Sequence, residues 1–239
     1  MGGTDDRRRP TLNREPWPAH SLLGGMRARD REALLGLGTE VGYRPHQRLL
    51  RQGEDHRHAM LVLAGHVKVM TTSEFGRDLL VDVSGPGDLL GEMAVLENER
   101  RAATVIAGDH TTVRVVPGAE LEDFLERHGE ACVAVARMLS RRLRRLHDRC
   151  ADLVVCPAPT RVARVLVDLV GAHGRRTAEG WALTFPLPQH ELASLAGVAL
   201  TTVEKALRDL RDDGVLGVGS RRIVITDLAG LRRIGLLDG

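Results

Sequence analysis

Apolar residues along this chain fall into three textures, and each predicts a different kind of structure. From Thr39 to Pro117 they form short runs: Met60–Ala64, Val67–Met70, Leu79–Val83, Ala103–Ile106 and Thr112–Val116. Gly53-Glu54-Asp55, Gly65-His66, Phe75-Gly76-Arg77, Gly85-Pro86-Gly87 and Gly108-Asp109 punctuate them. Closely spaced strands with such turns predict an all-β roll or barrel. Upstream, Leu34, Leu35 and Leu37 predict a short helix near Asp30–Leu37. Residues 1–20 carry glycine, proline and charge without a period and predict a disordered tail.

The second texture runs from Ala119 to about Val155, where glycine nearly vanishes and helix formers dominate. Cys132, Ala136, Leu139, Leu143, Leu146, Cys150 and Leu153 recur at alternating spacings of four and three. That is the a/d seam of a two-stranded coiled coil, so two copies of the chain are expected to pack on a twofold axis. Arg137, Arg141, Arg142, Arg144, Arg145 and Arg149 flank it. Cys156-Pro157-Ala158-Pro159 then ends the helix, because proline neither continues a helix nor tolerates helical backbone before it.

The third texture, Thr160–Gly239, reads helix, strand, helix, helix, strand pair, helix. Pro188–Gly197 has proline in its first turn and glycine at its end, as a short helix prefers. Thr201–Arg211 makes a second helix with Val203, Ala206, Leu207 and Leu210 as its apolar face. Two short helices joined through glycine form a helix-turn-helix, whose second member reads the major groove of DNA. Leu200, Thr201, Thr202, Lys205 and Arg208 are then candidate base readers, and Gln189 and His190 candidate phosphate contacts. A hairpin from Val215 to Ile225, with Arg221 and Arg222 on its edge, makes a basic wing.

Bulk properties narrow the reading. At 239 residues the chain suits two domains, and a 43% hydrophobic content supports a core in each. The net charge of +2 means that any DNA surface is a local patch. Three cysteines make no disulfide framework and fit a reducing cytoplasm, with Cys150 expected as a buried, inert thiol. No apolar run reaches the roughly eighteen residues of a membrane span, and the N-terminus has no signal-peptide core. No Ser/His/Asp constellation, metal-ligand spacing or phosphate loop points to an enzyme.

One motif carries ligand chemistry: Gly87-Asp88-Leu89-Leu90-Gly91-Glu92-Met93-Ala94-Val95-Leu96, followed by Arg101-Ala102-Ala103-Thr104-Val105. Glycines permit sharp turns, a short helix starting at Glu92 offers N–H groups to an anion, and Arg101 can close on it. Glu92 in the same place suits a ligand that also brings a hydroxyl. The stretch resembles the phosphate-binding cassette of cyclic-nucleotide-binding domains. In that family the glutamate accepts the ribose hydroxyl, and the arginine nine residues on pairs with the cyclic phosphate. The resemblance implies a ligand site at Gly91, Glu92, Met93, Arg101 and Ala102. Ala102 directly after the arginine leans toward adenine.

The order of roll, long helix, hinge and winged helix resembles the Crp/Fnr family of transcription regulators over roughly residues 30–230. This implies an α+β chain with a tail over 1–20, a sensor over 21–117, a dimerisation helix and hinge over 118–156, and a DNA-binding domain over 157–239. The resemblance further implies a cytoplasmic homodimer that binds an inverted repeat of double-stranded DNA, meets RNA polymerase and has no membrane partner. Cyclic AMP or another cyclic nucleotide is the implied effector, with no metal, haem or iron–sulfur cluster.

Two departures stand out. The family's adenine-reading Thr-Ser pair is replaced by Leu146 and His147, which by the same resemblance complete the expected ligand site, His147 with one hydrogen bond to offer. The family's Ser-Arg-Glu-Thr-Val-x-Arg is replaced by Ala199-Leu200-Thr201-Thr202-Val203-Glu204-Lys205, so the operator should differ from the family's usual half-site. Two alternatives stay beside the effector-controlled regulator. One is an effector-independent regulator with a vestigial cassette. The other is a nucleotide-binding subunit acting on a protein partner.

Overall fold

The structure is a computed structural model that describes residues 17–217 and 222–237. Its elements run α1 (Leu22–Gly25), α2 (Ala28–Leu35), β1 (Thr39–Tyr43), β2 (Arg48–Leu50), β3 (His58–Ala64), β4 (Val67–Thr72), β5 (Asp78–Ser84), β6 (Leu89–Leu90), α3 (Glu92–Leu96), β7 (Thr104–Ala107) and β8 (Thr111–Pro117). Then follow α4 (Gly118–Arg127), α5 (Gly129–Val155), α6 (Ala158–His173), β9 (Gly174–Thr177), β10 (Gly180–Leu183), α7 (Gln189–Ala196), α8 (Leu200–Asp212), β11 (Val224–Ile225) and α9 (Leu228–Ile234).

The roll is two antiparallel sheets, ordered β1-β8-β3-β6 and β2-β7-β4-β5. Met60, Val62, Val67, Leu90, Val105 and Val113 fill the space between them. Alternate residues of β3, namely Ala59, Leu61 and Leu63, turn outward and are covered by Leu121 and Phe124 of α4 and by Ala131, Val135 and Met138 of α5. Burial on both faces explains why β3 reads as a continuous apolar run. The winged-helix core joins α6, α7 and α8 through Leu166, Leu169, Leu192, Val203, Leu207 and Phe185. Leu80 and Val83 of β5 belong to this same core, so the β4–β5 hairpin of the roll is packed into the DNA-binding unit.

The structure departs from the sequence expectations in several places. The long helical texture is broken at His128, whose backbone leaves the helical region at φ −121, ψ 73. Its ring stacks on Phe124, and its Nδ1 lies 2.9 Å from Asp30 Oδ1. The expected tail does not extend through Trp17–His20, because Trp17 packs against the core under α1 and α2. Residues 1–16 of that tail lie outside the described residues. The single strand expected after α6 is a hairpin, with Trp181 paired to Arg176 on one side and to Ile225 on the other. Cys150 is exposed in the single chain. β1 and β2 escape the sequence reading because β1 is a mostly exposed strand and β2 has only three residues.

Candidate functional site

The cassette begins where Gly91 adopts a left-handed φ of 72°, which L side chains rarely accept, and starts α3. A Cβ there would come within 2.4 Å of Arg101 Nη1, so the backbone and the guanidinium are in close approach. Glu92 and Arg101 are each only 3% exposed. Arg101 Nη1 donates to Gly91 O at 2.9 Å, and Nη2 donates to His58 O at 2.6 Å. Its Nε is buried without a hydrogen-bond partner among the described residues. Burial pushes the Arg101 pKa below its ordinary value, against the pull of Glu54 and Glu92. Met93 and Ala102 are exposed at the rim.

Glu92 is engaged from the long helix. Arg142 Nη1 donates to Glu92 Oε1 at 2.5 Å, and Arg142 Nη2 donates to Leu89 O at 2.7 Å. The pair is largely enclosed, with side-chain exposures of 20% and 4%. Leu146 and His147, the positions matched to the family's adenine readers, lie exposed on α5 and make no described contact with the cassette. The residue that the sequence reading missed is Arg142, which it placed only among the flanking arginines. A signal was present: Ala131, Ala134, Val135 and Met138 form the buried stripe of α5, and Arg142 continues it at helical spacing.

In the DNA-binding unit, α7 ends at Gly197, left-handed at φ 60°. Arg161 Nε donates to Ala196 O and Nη2 to Gly197 O, both at 3.1 Å, which fixes the turn against α6. Val203, Ala206, Leu207 and Leu210 are buried as the periodicity requires. Leu200, Thr201, Lys205 and Arg208 are exposed, and Thr202 is half-buried. Gln189 and His190 are exposed at the start of α7. Ala199 caps α8 without a side-chain bond. The wing closes through the Leu216–Ile225 bridge and Gly217 N donating to Val224 O at 2.9 Å. Arg222 lies at its base, and Arg221 falls outside the described residues.

The roll and the DNA-binding unit are held together by polar contacts that sequence reasoning did not find. Lys68 of β4 places its Nζ 2.6 and 2.7 Å from the carboxylate oxygens of Glu191 in α7. Ser194 Oγ donates to Leu80 O at 3.2 Å, and Arg149 Nη1 to Val81 O at 2.7 Å. His66 Nε2 lies 2.9 Å from Thr184 Oγ1 while its Nδ1 lies 3.0 Å from Asp109 Oδ2. Burial raises the Asp109 pKa, but the bonds to His66 outweigh it and hold the carboxyl below its ordinary value.

Comparison with known proteins agrees with this geometry. The family model of the cyclic nucleotide-binding domain matches residues 40–128, and that of the Crp-like helix-turn-helix domain matches residues 160–234. The chain is 33% identical over 186 residues to the CRP-like cAMP-activated global transcriptional regulator of Mycobacterium tuberculosis, covering 76% of this chain and 81% of that one. It is 29% identical to the cyclic AMP receptor protein of Thermus thermophilus, over 77% and 82% of the two chains. FixK2 from Bradyrhizobium japonicum superposes with a TM-score of 0.71 at 25% identity, covering 83% of this chain and 97% of that one. Among the described residues no helix is long and apolar enough to cross a membrane. With a cyclic-nucleotide-type roll, a long helix and a winged helix-turn-helix in one order, the chain belongs to the Crp/Fnr family of transcription regulators and is not an enzyme.

Proposed function

We propose that this regulator works as a homodimer joined along α5, that it binds an inverted repeat of double-stranded DNA, and that a cyclic nucleotide in the roll controls it. The observation that carries the reading is a reading surface, Leu200, Thr201, Lys205 and Arg208, left exposed on a chain whose heptad seam is also exposed. Two recognition helices related by a twofold axis suit half-sites about one helical turn apart. Such a dimer would act on the DNA of the cytoplasm beside RNA polymerase. One named relative is cAMP-activated and another is a cyclic AMP receptor protein, which supports an adenine nucleotide as the effector class. Arg101, whose buried Nε has no acceptor among the described residues, would hold the cyclic phosphate, and Glu92 the ribose hydroxyl once Arg142 yields.

Selection from random duplexes, with and without nucleotide, tests the DNA half. We expect a palindromic motif, and Lys205→Ala should relax preference at one symmetric position by about 1–3 kcal/mol. Recovery of no palindrome would remove the reading. Calorimetry against a panel of cyclic nucleotides tests the effector half. We expect Arg101→Ala to weaken binding by about 1.5–3 kcal/mol, the worth of a charged hydrogen bond.

One observation favours the second reading, an effector-independent regulator. Both cassette residues already have partners within the chain: Glu92 in Arg142, and Arg101 in two carbonyls. No heat from any cyclic nucleotide, with operator binding intact, would select it.

A further inference from the structure

Where the roll, α5 and the DNA-binding unit meet, the chain forms a partly open cavity of about 40 Å³. Its wall includes Arg141, Arg142 and Arg145 of α5, Asp88 before β6, His20 before α1, and His173 at the end of α6. Gly91, Glu92 and Arg101 do not line it, so this space lies beside the cassette's ligand residues, with Asp88 and Arg142 shared between the two. The space is large enough for a small group such as one tetrahedral oxyanion.

The wall itself holds three guanidiniums and one carboxylate, Asp88, whose Oδ2 accepts from Gly85 N at 2.9 Å. Behind it Glu92 pairs with Arg142, and Asp82 and Asp168 stand near Arg145. Burial raises the Asp88 pKa, against the pull of the Gly85 N–H and of Arg142. The imidazoles add no second carboxylate-like acceptor. His173 Nε2 lies 3.1 Å from Val83 O, which can only accept, so that nitrogen carries the ring's proton. Burial, with His66 and His20 adding, pushes the His173 pKa to about 3, so the ring is neutral.

Arg142 spends its two Nη groups on Glu92 and Leu89 O. Arg141 and Arg145 are less committed. Arg141 Nη2 donates to His20 O at 3.2 Å, and Arg145 Nη2 stands a loose 3.7 Å from Asp82 Oδ2. A guanidinium has five N–H donors, so both retain donors for a further acceptor. Arg141 is exposed and the Arg145 side chain is 40% exposed, so an anion can reach both from solvent, and a planar fork suits a tetrahedral oxyanion.

We infer that this junction cavity is a binding site for a small oxyanion of the phosphate class, held by the Arg141 and Arg145 guanidiniums. The wall comes from three parts of the chain, with His173 and Ala172 supplied by the DNA-binding unit. A bound anion therefore stabilises the docked arrangement over one in which α6 has moved away. Inorganic phosphate and the terminal phosphate of a small organic ester share this chemistry.

The experiment is a titration of the full chain in chloride buffer, followed through the assigned imidazole resonances of His20 and His173. These report on the cavity and not on phosphates held by the DNA-reading surface. We expect a saturable shift of both rings with inorganic phosphate, weakened at least tenfold by Arg145→Gln and lost in the Arg141→Gln, Arg145→Gln double variant. Lys205→Ala should leave the shift unchanged. Arg145→Lys, which keeps the charge and loses the fork, should weaken it by a few fold and serves if the double variant does not fold. Glycerol phosphate shifting both rings as strongly as phosphate would assign the ester, and a response to phosphate alone would assign the free ion. Absence of a saturable shift in the native chain overturns the site, as does an undiminished shift in a folded double variant.

Discussion

The two faces of α5 invert the usual arrangement of a surface helix. The face turned toward its own chain is apolar only through Met138 and then becomes Arg142, Arg145 and Arg149. These arginines reach Glu92, Asp82 and the carbonyls of Leu89 and Val81. The opposite face exposes Leu143 at 54%, Leu146 at 50% and Leu153 at 54%. A lone helix would turn its leucines inward and its arginines to water. Here the arginines turn inward because the roll at that level offers carboxylates and carbonyl lone pairs. The leucines are left for a twin. Residue type therefore reports what faces a helix, and an exposed seam of leucines at heptad spacing implies a second helix.

The largest effect should come from the apolar face. Leu143 and Leu146 are about half exposed in the single chain, so burying the rest across a twofold axis contributes about half of the roughly 1.5–3 kcal/mol of a full leucine. Leu143→Glu with Leu146→Glu removes four such side chains per dimer, a loss of roughly 3–6 kcal/mol before any charge repulsion. Sedimentation should show a folded monomer, and binding to a palindromic duplex should collapse to that of a single half-site. A variant that still sediments as a dimer would mean that the seam is not the interface.

The inward face should respond differently. Arg142→Ala strands Glu92, whose side chain is 4% exposed, as a buried carboxylate without its cation. Breaking one side of such a pair costs about 3–5 kcal/mol. Chemical denaturation should show this loss while sedimentation still shows a dimer. Adding Glu92→Gln to Arg142→Ala should recover much of it, since the amide needs no counter-charge. Equal losses of dimer in this variant and in the leucine variant would mean that the two faces are not separable.

Local periodicity makes the outward face legible in the sequence alone. The seam, the β3 run and the apolar side of α8 each need only neighbouring residues to be recognised. The inward contacts join residues remote in sequence: Glu92 and Arg142 are 50 residues apart, and Lys68 and Glu191 are 123 apart. Nothing in a single sequence ties a lysine in a strand to a glutamate in a helix that far downstream. The cassette is legible because its glycines, Glu92 and Arg101 lie within one short stretch. Its occupant from α5 is not, because Arg142 stands among five other arginines and only packing distinguishes it. Leu146 and His147 are matched by counting along the helix, yet they face outward, whereas Arg142 projects into the cassette.

The smallest effect concerns the wall opposite Arg145. His173 is 9% exposed, and its pKa is pushed down to about 3 from 6.5, by burial first and then by His66 and His20. The folded chain therefore resists protonation where the unfolded chain accepts it. For a histidine depressed in this way, the stability of the neutral form is fully present above 6.5 and is lost as pH falls toward about 3. Within that window the slope approaches 1.4 kcal/mol per pH unit, so moving from pH 7 to pH 5 should cost about 2 kcal/mol. His20, also lowered mainly by burial, adds in the same direction. The denaturation midpoint measured across this range should fall accordingly, and His173→Gln should flatten most of the fall, because its amide can donate to Val83 O without titrating. The seam leucines do not titrate, so dimerisation measured by sedimentation should stay level over the same pH range. A midpoint as steep in His173→Gln as in the native chain would place the pH response elsewhere and remove His173 from the account of the inward face.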